Sequence, residues 1–501
     1  MKDIKTKLIV VFTTILLCST DIHSQQAEEL TAGEVIKRAI NVVQMINIQS
    51  RSSEKHKREI LKEIAVVQAK AGDRTGSKKI FGDLIDAIYT SGNKKDYPGE
   101  GKNKKMDSRI LDAEDKSDAE DARNRGNFVL KIESLEAIAI AQIRAGFILD
   151  AKQTFGRMIQ IATLIPNDDR TDGRAYILSR IAAAQAKSGN NEWASETIQM
   201  VLQVIDSAKT HSGGSPEPFK IFLKMDLTRT QLEIGEHLAA ISAIQEAIQL
   251  ASNLKDAKVK AFALRDIAMA QSRIGDRNGA VATIQKMIDT RRTIQDEEPN
   301  RILMFNLNDI AHIAESAAEF NRREDTENII NMIIRIMEAN EDEEEAKSPA
   351  WRIIGEVRAR LGDVEGALEA EKRIVSPIYR GTVLPAIVEA EIEAGNFKEA
   401  RQLANMSLQR DILLKDIAIS QARSGDIKEA LSTVDSICCK AGTLIARSEA
   451  FRAIATARII SGEKKETLIW AENQPSPEEK AYTLLGLAEG LLNKPMNSFT
   501  H

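Results

Sequence analysis

The chain has 501 residues, of which 69 are Lys or Arg and 74 are Asp or Glu, so its formal net charge is −5. This balanced, slightly acidic charge is not that of a nucleic-acid-binding protein. Hydrophobic residues make up 43% of the chain, which excludes wholesale disorder, and an aromatic content of only 4% predicts a core of Ala, Ile and Leu in closely packed helices.

Residues 1–24 have the pattern of a cleaved secretory signal peptide. A start rich in lysine precedes an apolar run over residues 8–17, and a more polar stretch follows. The run is shorter than the ~20 residues that a membrane-spanning helix needs. We therefore expect cleavage before Gln25, no stable membrane span afterwards, and a periplasmic, cell-envelope or extracellular location. Two alternatives stay open, namely an uncleaved anchor and lipidation at Cys18.

The rest of the chain repeats a pattern centred on ten positions, nine of them glycines. These anchors are Gly72, Gly146, Gly189, Gly235, Gly275, Ala318, Gly362, Gly395, Gly425 and Gly462. An Ile or Leu stands eight residues before each of the ten, and a large apolar residue stands eleven before nine of them. This spacing places the apolar residues on one face of a helix.

The anchor glycine is expected to end one helix and begin another. Glycine reaches the left-handed conformation without steric penalty, and the Asp or Asn that often follows it is suited to cap the next helix. Small and apolar residues then return with helical spacing. Each unit is therefore predicted to be a hairpin of two antiparallel helices that must stack on its neighbours to bury its apolar faces.

Two stretches carry a family resemblance. Residues 264–288 (LRDIAMAQSRIGDRNGAVATIQKMI) and 414–437 resemble the tetratricopeptide repeat, which implies an all-α, right-handed solenoid of stacked antiparallel hairpins, here about ten repeats after the signal peptide. Anchors lie 40 to 46 residues apart between Gly146 and Gly362, against about 34 in the family, and longer second helices or linkers would explain the excess.

The usual tyrosine of the family, four before the anchor, is replaced by glutamine in six copies. We expect these buried amides to form hydrogen bonds between helices rather than to contact a ligand. They are Gln68, Gln142, Gln185, Gln231, Gln271 and Gln421.

The predicted organisation follows from the anchors and from the charge pattern. After the signal peptide we expect a first hairpin at 55–90, a charged, mobile insertion at 91–127, repeats of long spacing at 128–346, repeats of near-standard spacing at 347–493 and a tail at 494–501.

The sequence offers little material for catalysis. The six histidines are scattered, no phosphate-binding loop or nucleophile motif is present, and Cys438 and Cys439 are adjacent and are interpreted as small buried side chains. We expect no enzymatic activity, no cofactor and no metal site. The alternatives are a hydrolase or lyase on a helical array, or a membrane-anchored assembly factor of the envelope.

Binding is the favoured function, because stacked hairpins present a long concave surface lined by their first helices. The predicted partner site combines rings thirteen residues before four consecutive anchors with cations two residues before four anchors, of which Gly189 and Gly275 are shared with a ring. The site residues are Tyr176, Phe222, Phe262, Phe305, Lys187, Arg273, Arg360 and Arg423. We expect a scaffold that binds a protein or peptide with apolar and acidic residues. The alternative role of the rings is to staple one hairpin to the next.

Overall fold

A computed structural model describes residues 30–48, 51–90, 113–165, 167, 173–205, 207, 216–294, 299–320, 322–339, 344–438 and 444–493. The predicted signal peptide therefore lies outside the described residues. Within those ranges the chain forms 22 α-helices and no strand. The prediction of an all-α protein is confirmed.

The helices alternate between two classes along the chain, here named first and second helices. The first helices are α2 (Arg51–Lys70), α4 (Ala113–Arg144), α6 (Arg174–Lys187), α8 (Glu217–Glu233), α10 (Ala257–Ile274), α12 (Pro299–Glu319), α14 (Glu344–Arg360), α16 (Leu384–Glu393), α18 (Arg410–Arg423), α20 (Leu444–Ile460) and α22 (Pro477–Asn493). The second helices are α3 (Arg74–Thr90), α5 (Ile148–Thr163), α7 (Asn191–Ile205), α9 (His237–Ser252), α11 (Arg277–Arg292), α13 (Arg323–Glu338), α15 (Val364–Lys372), α17 (Phe397–Met406), α19 (Ile427–Asp435) and α21 (Lys464–Glu472). One further helix, α1 (Ala32–Gln44), precedes them.

The anchor glycines form the turns between first and second helices. All nine have a positive φ, between 75° and 102°, as the sequence predicts. At Gly275 the next N–H, of Asp276, reaches back 2.9 Å to the carbonyl of Gln271, and the Asp276 carboxylate accepts from the N–H of Gly279 at 2.9 Å. The turn therefore closes one helix and caps the next within two residues.

The predicted anchor Ala318, which is the one that is not a glycine, lies three residues before the turn that the structure shows. Ala318 is buried inside α12, which ends at Glu319, and α13 begins at Arg323. There the N–H of Arg322 donates to the carbonyl of Ala317 at 3.0 Å, which is the bond that Asp276 makes to Gln271. This copy of the repeat has no glycine at its turn, so only the apolar spacing located the anchor. The predicted anchor is therefore shifted by about one helical turn.

The predicted insertion at 91–127 is also partly wrong, because α4 begins at Ala113 and includes 113–127. Residues 91–112 lie outside the described residues. Residues 113–127 include three Ala and two Glu, which are strong helix formers, and the negative charge of the Asp and Glu residues is favourable near the N-terminus of a helix.

Three hairpins are held together by a predicted glutamine in addition to apolar packing, whereas the buried side-chain oxygens of Gln68, Gln185 and Gln231 have no hydrogen-bond partner among the described residues. Gln142, Gln271 and Gln421 are buried, and each side-chain carbonyl accepts a bond of 2.7 to 2.8 Å from a threonine twelve residues later on the second helix. The prediction of helix-to-helix bonding is confirmed for these three. The wider spacing of the anchors between Gly146 and Gly362 has one of its predicted causes, namely longer second helices. The second helices from α3 to α13 have 15 to 17 residues each, whereas those from α15 to α21 have 9 or 10.

The two ends of the described chain meet. Every first helix packs on the next one, and the last of them, α22, packs on α1 and on the first of them, α2. The order of contacts is therefore cyclic, and α1 occupies the place of the second helix that α22 lacks. The sequence did not predict this closure.

An apolar cluster and an ion network form the seam between the ends. Val35, Ile36 and Val43 of α1 share one buried cluster with Tyr482 and Leu485 of α22. Beside it the Glu63 carboxylate binds Arg144 at 2.8 Å and Arg452 at 2.9 Å, and Arg452 also binds Glu489 at 2.6 Å. Residues almost 400 positions apart in sequence are thus paired across the seam.

The seam network makes stability dependent on acidity. Burial alone would raise the pKa of Glu63, but hydrogen bonds from Arg144 and the charge of Arg452 lower it from 4.5 to about 2. Because the folded protein binds this proton less readily, the contribution is fully present above pH ~4.5 and is lost as the pH falls toward 2. We expect it to reach about 3 kcal/mol in the free energy of unfolding.

Urea unfolding between about pH 6 and pH 2 measures that contribution. Glu63→Gln should be less stable near neutral pH, because Arg452 loses a buried partner, and its stability should fall less steeply with acid. Glu59→Gln, a more exposed position on α2, is the control. Parallel pH profiles for the natural chain and Glu63→Gln would rule out this role.

Candidate functional site

The first two predicted rings are a stacked pair. Tyr176 on α6 and Phe222 on α8 have ring centroids 6.0 Å apart and planes inclined by 25°. Both rings are half-buried and pack on the core cluster of this part of the chain. A bond of 2.9 Å from the Ser179 hydroxyl to the Asp226 carboxylate joins the same two helices. This pair therefore has the geometry of a staple between hairpins.

Phe262 on α10 differs from that pair because its surface is 47% exposed. The guanidinium of Arg265 lies 5.4 Å from its ring centroid and that of Arg291 lies 5.7 Å away. Arg291 also lies 5.8 Å from the ring of Phe305. Phe305 is not in the register of the other three rings, because the true turn of its hairpin lies three residues later than predicted.

Two aspartates fix the arginines beside Phe262. Arg265 binds Asp266 at 2.8 Å and approaches Asp309 to 3.6 Å, and the buried Arg291 pairs with Asp309. Burial raises the pKa of Asp266, and Arg265 opposes that rise. Burial lowers the pKa of Arg265, but the two carboxylates more than offset this effect and the net direction is upward. The positive charges of Arg265 and Arg291 beside the Phe262 ring are therefore largely neutralised by the two aspartates.

The predicted cations fall into two groups. Lys187, Arg360 and Arg423 are exposed at the ends of their helices, and Arg360 lies 3.5 Å from Glu315. Arg273, by contrast, joins helices: it donates to the carbonyl of Met225 and to the Ser316 hydroxyl, each at 3.4 Å. Burial lowers the pKa of Arg273. Three of the four predicted cations are thus accessible to a partner.

Rings and cations lie at opposite ends of the first helices. Tyr176 and Lys187 are separated by eleven residues of α6, which corresponds to about 16 Å along the axis. A small ligand cannot contact both, whereas an extended chain can. The sequence did not single out Arg265 and Arg291. Arg291 in particular comes from a second helix, and the pattern of the first helices gives no signal for it.

Among the described residues, carboxyl groups of raised pKa do not gather at one point. Burial raises the pKa of Glu136 on α4 and of Asp266 on α10, two helices that belong to different hairpins. Within the described ranges no group of three or more His, Cys, Asp or Glu side chains is arranged to hold a metal ion. In the same residues no helix is long and apolar enough to cross a bilayer.

No family model matches the chain, and no curated protein sequence matches it. Among solved structures it is similar to Ton1535 from Thermococcus onnurineus NA1, with 15% identity, a TM-score of 0.35, and coverage of 70% of this chain and 98% of that one. It is also similar to a circular tandem repeat protein with a novel repeat topology, with 11% identity, a TM-score of 0.21, and coverage of 93% and 97%. TM-scores this low support no inference about function. The all-helical, repeat-like architecture of the described residues follows from the helices of this chain alone.

Proposed function

We propose that this chain is an exported, non-catalytic scaffold of tetratricopeptide-like hairpins that binds a protein or peptide partner along its first helices. The partner would be an extended segment with apolar and acidic residues. Its apolar side chains would pack on Phe262, and its carboxylates would meet exposed cations such as Lys187 and Arg360.

The exposure of Phe262 is the observation that supports the proposal best. Aromatic residues make up only 4% of the chain, yet this ring stands half in solvent on the side of α10 that carries the predicted site. Tyr176 and Phe222 precede it at the same helical position on α6 and α8. Phe262 thus offers an exposed aromatic side chain on the first helix that follows this pair, and aromatic residues are enriched among the side chains that carry binding energy.

Selection from a surface-displayed library of random peptides tests this function with the purified full chain. We expect the enriched peptides to combine apolar and acidic residues. Phe262→Ala should weaken their binding by about tenfold or more, while the melting temperature stays within a few degrees because the ring is half-exposed.

Leu238→Ala is the matched control, since Leu238 is even more exposed but lies on the second helix α9. It should leave peptide affinity unchanged. Equal losses in both variants, or a sharp fall in melting temperature for Phe262→Ala, would contradict the proposed site.

A further inference from the structure

The second helix α9 exposes a line of apolar side chains to solvent. Leu238 is 83% exposed, Ile241 38% and Ile248 40%. Together with the exposed Gln245 they stand three, four and three residues apart, which is the spacing that places side chains along one line of a helix for pairing with a second helix. The opposite face of α9 is buried in the protein core. These four residues are named the α9 stripe.

The surface around the α9 stripe is almost free of charge. Charged residues make up 29% of the chain, yet Glu246 is the one Asp, Glu, Lys or Arg among the 16 residues of α9. Glu246 lies at the flank of the stripe and is bound by Lys224 of α8 at 2.8 Å. The other exposed flanking residues are His237, Ala239, Ser242 and Gln249. A surface of this kind packs against an identical surface without bringing unpaired like charges together.

Acidic residues stand on one side of the α9 stripe. Helix α7 contains Glu192 and Glu196, both exposed, and no Lys or Arg. The hydroxyl of Ser195 donates to Glu236 at 2.5 Å, so α7 lies directly beside the start of α9. Lys152 of α5 lies over a ring of α7, but it approaches from the side away from α9. The side of α7 that borders the stripe is therefore acidic.

Basic residues stand on the other side of the α9 stripe. Helix α11, which packs on α10 as α9 does, exposes Arg277, Lys286 and Arg292 and the single acidic residue Asp289. Arg277 is bound by Glu324 of α13 at 2.9 Å, and Arg292 is bound by Asp289 at 3.2 Å. Lys286 forms no ion pair with any of the described residues. The exposed face of α11 therefore keeps a net positive charge, which Lys286 carries.

We propose that the α9 stripe is the interface of a homodimer in which the α9 helices of two copies pack side by side and parallel. In this two-fold arrangement each residue of the stripe meets its own copy. Leu238, Ile241 and Ile248 therefore bury apolar surface against apolar surface, and the two Gln245 amides are positioned to hydrogen-bond to each other.

Charge complementarity selects the parallel orientation. The same two-fold rotation places α7 of each chain opposite α11 of the other, so the acidic helix meets the basic one. An antiparallel pairing would instead set α7 against α7 and α11 against α11, with like charges opposed. The inference does not depend on the peptide site at Phe262, which lies on a first helix.

Sedimentation equilibrium of the purified full chain over about 1 to 100 µM tests the interface, and the natural chain should form a reversible dimer within this range. Leu238→Asp should weaken dimerisation by about tenfold or more, because two carboxylates would face each other across the two-fold axis. Leu238 is 83% exposed in the single chain, so circular dichroism and melting of dilute protein should not change. Leu149→Asp is the matched control, since Leu149 is 77% exposed on the second helix α5, and it should dimerise as the natural chain does.

Charge reversal tests the parallel orientation separately. Glu196→Lys alone and Lys286→Glu alone should each weaken the dimer by roughly threefold or more at low salt, because α7 and α11 then face each other with like charge. Both changes in one chain should restore the natural dissociation constant, since the opposed charges are exchanged and not lost. The proposal is overturned if the natural chain stays monomeric throughout the concentration range, if Leu238→Asp and Leu149→Asp weaken the dimer equally, if the double reversal is no more stable than the single variants, or if Leu238→Asp loses only a different protein partner and no second copy.

Discussion

A chain that lacks α1 and begins at Arg51 will be strongly destabilised at its opposite end. In the intact protein Val35, Ile36, Val43 and Ile46 are buried against α22, and each such side chain contributes about 1.5–3 kcal/mol when it leaves water. Because removal of α1 uncovers this cluster, we expect a loss of several kcal/mol in the free energy of unfolding at the seam. Hydrogen exchange should show this loss as faster exchange throughout α22.

Restoring the helix in trans distinguishes a lost contact from a general folding defect. A synthetic peptide of residues 30–48 should bind the shortened chain and slow exchange in α22 again. As point controls, Ile36→Asp should reproduce much of the effect, and Lys37→Asp, exposed on the same helix, should not. If α22 keeps its protection without α1, the closure does not stabilise the fold.

The cyclic closure shows where a single sequence stops being informative. The turns were predictable because glycine at positive φ followed by Asp is a local signal, as at Gly275 and Asp276. Nothing local states that α1 pairs with a helix more than 430 residues away. Its own residues show only an amphipathic helix with a cap at Thr31. The energy of that pairing lies in packing between distant segments, which a repeat period does not encode.

The candidate site was predictable to a similar degree. Regular spacing gave Tyr176, Phe222 and Phe262 on consecutive first helices, whereas it misplaced Phe305, since its hairpin has no glycine at the turn. Spacing also grouped Arg273 with Lys187 as equivalent cations. Only the packing of α10 against α8 and α12 distinguishes them, because it leaves Arg273 half-buried and bonded to both neighbouring helices and leaves Lys187 exposed.

Gly486→Ala will lower the free energy of unfolding by about 2–4 kcal/mol. A Cβ on Gly486 would overlap the carbonyl oxygen of Arg452, and one on Gly490 would overlap Ile459. Helices α20 and α22 therefore approach each other backbone to backbone, and the hydroxyl of Thr456 bridges them by a bond of 2.9 Å to the carbonyl of Gly486. The obstacle is main chain and not a flexible side chain, so relief requires α22 to move away from α20. That movement would also disturb the seam, because Arg452 and Glu489 lie in the same two helices.

Gly156→Ala is the matched control, measured by urea unfolding beside Gly486→Ala. Gly156 also lies inside a helix, α5, but has open space where its Cβ would stand. Alanine there should be neutral or stabilising by up to about 1 kcal/mol, because it restricts the unfolded chain and favours the helix. The two substitutions are chemically identical, so a difference between them isolates the close approach of α20 and α22. Equal changes in both would mean that the two helices can separate at little cost and that α22 is not held at the seam by close packing.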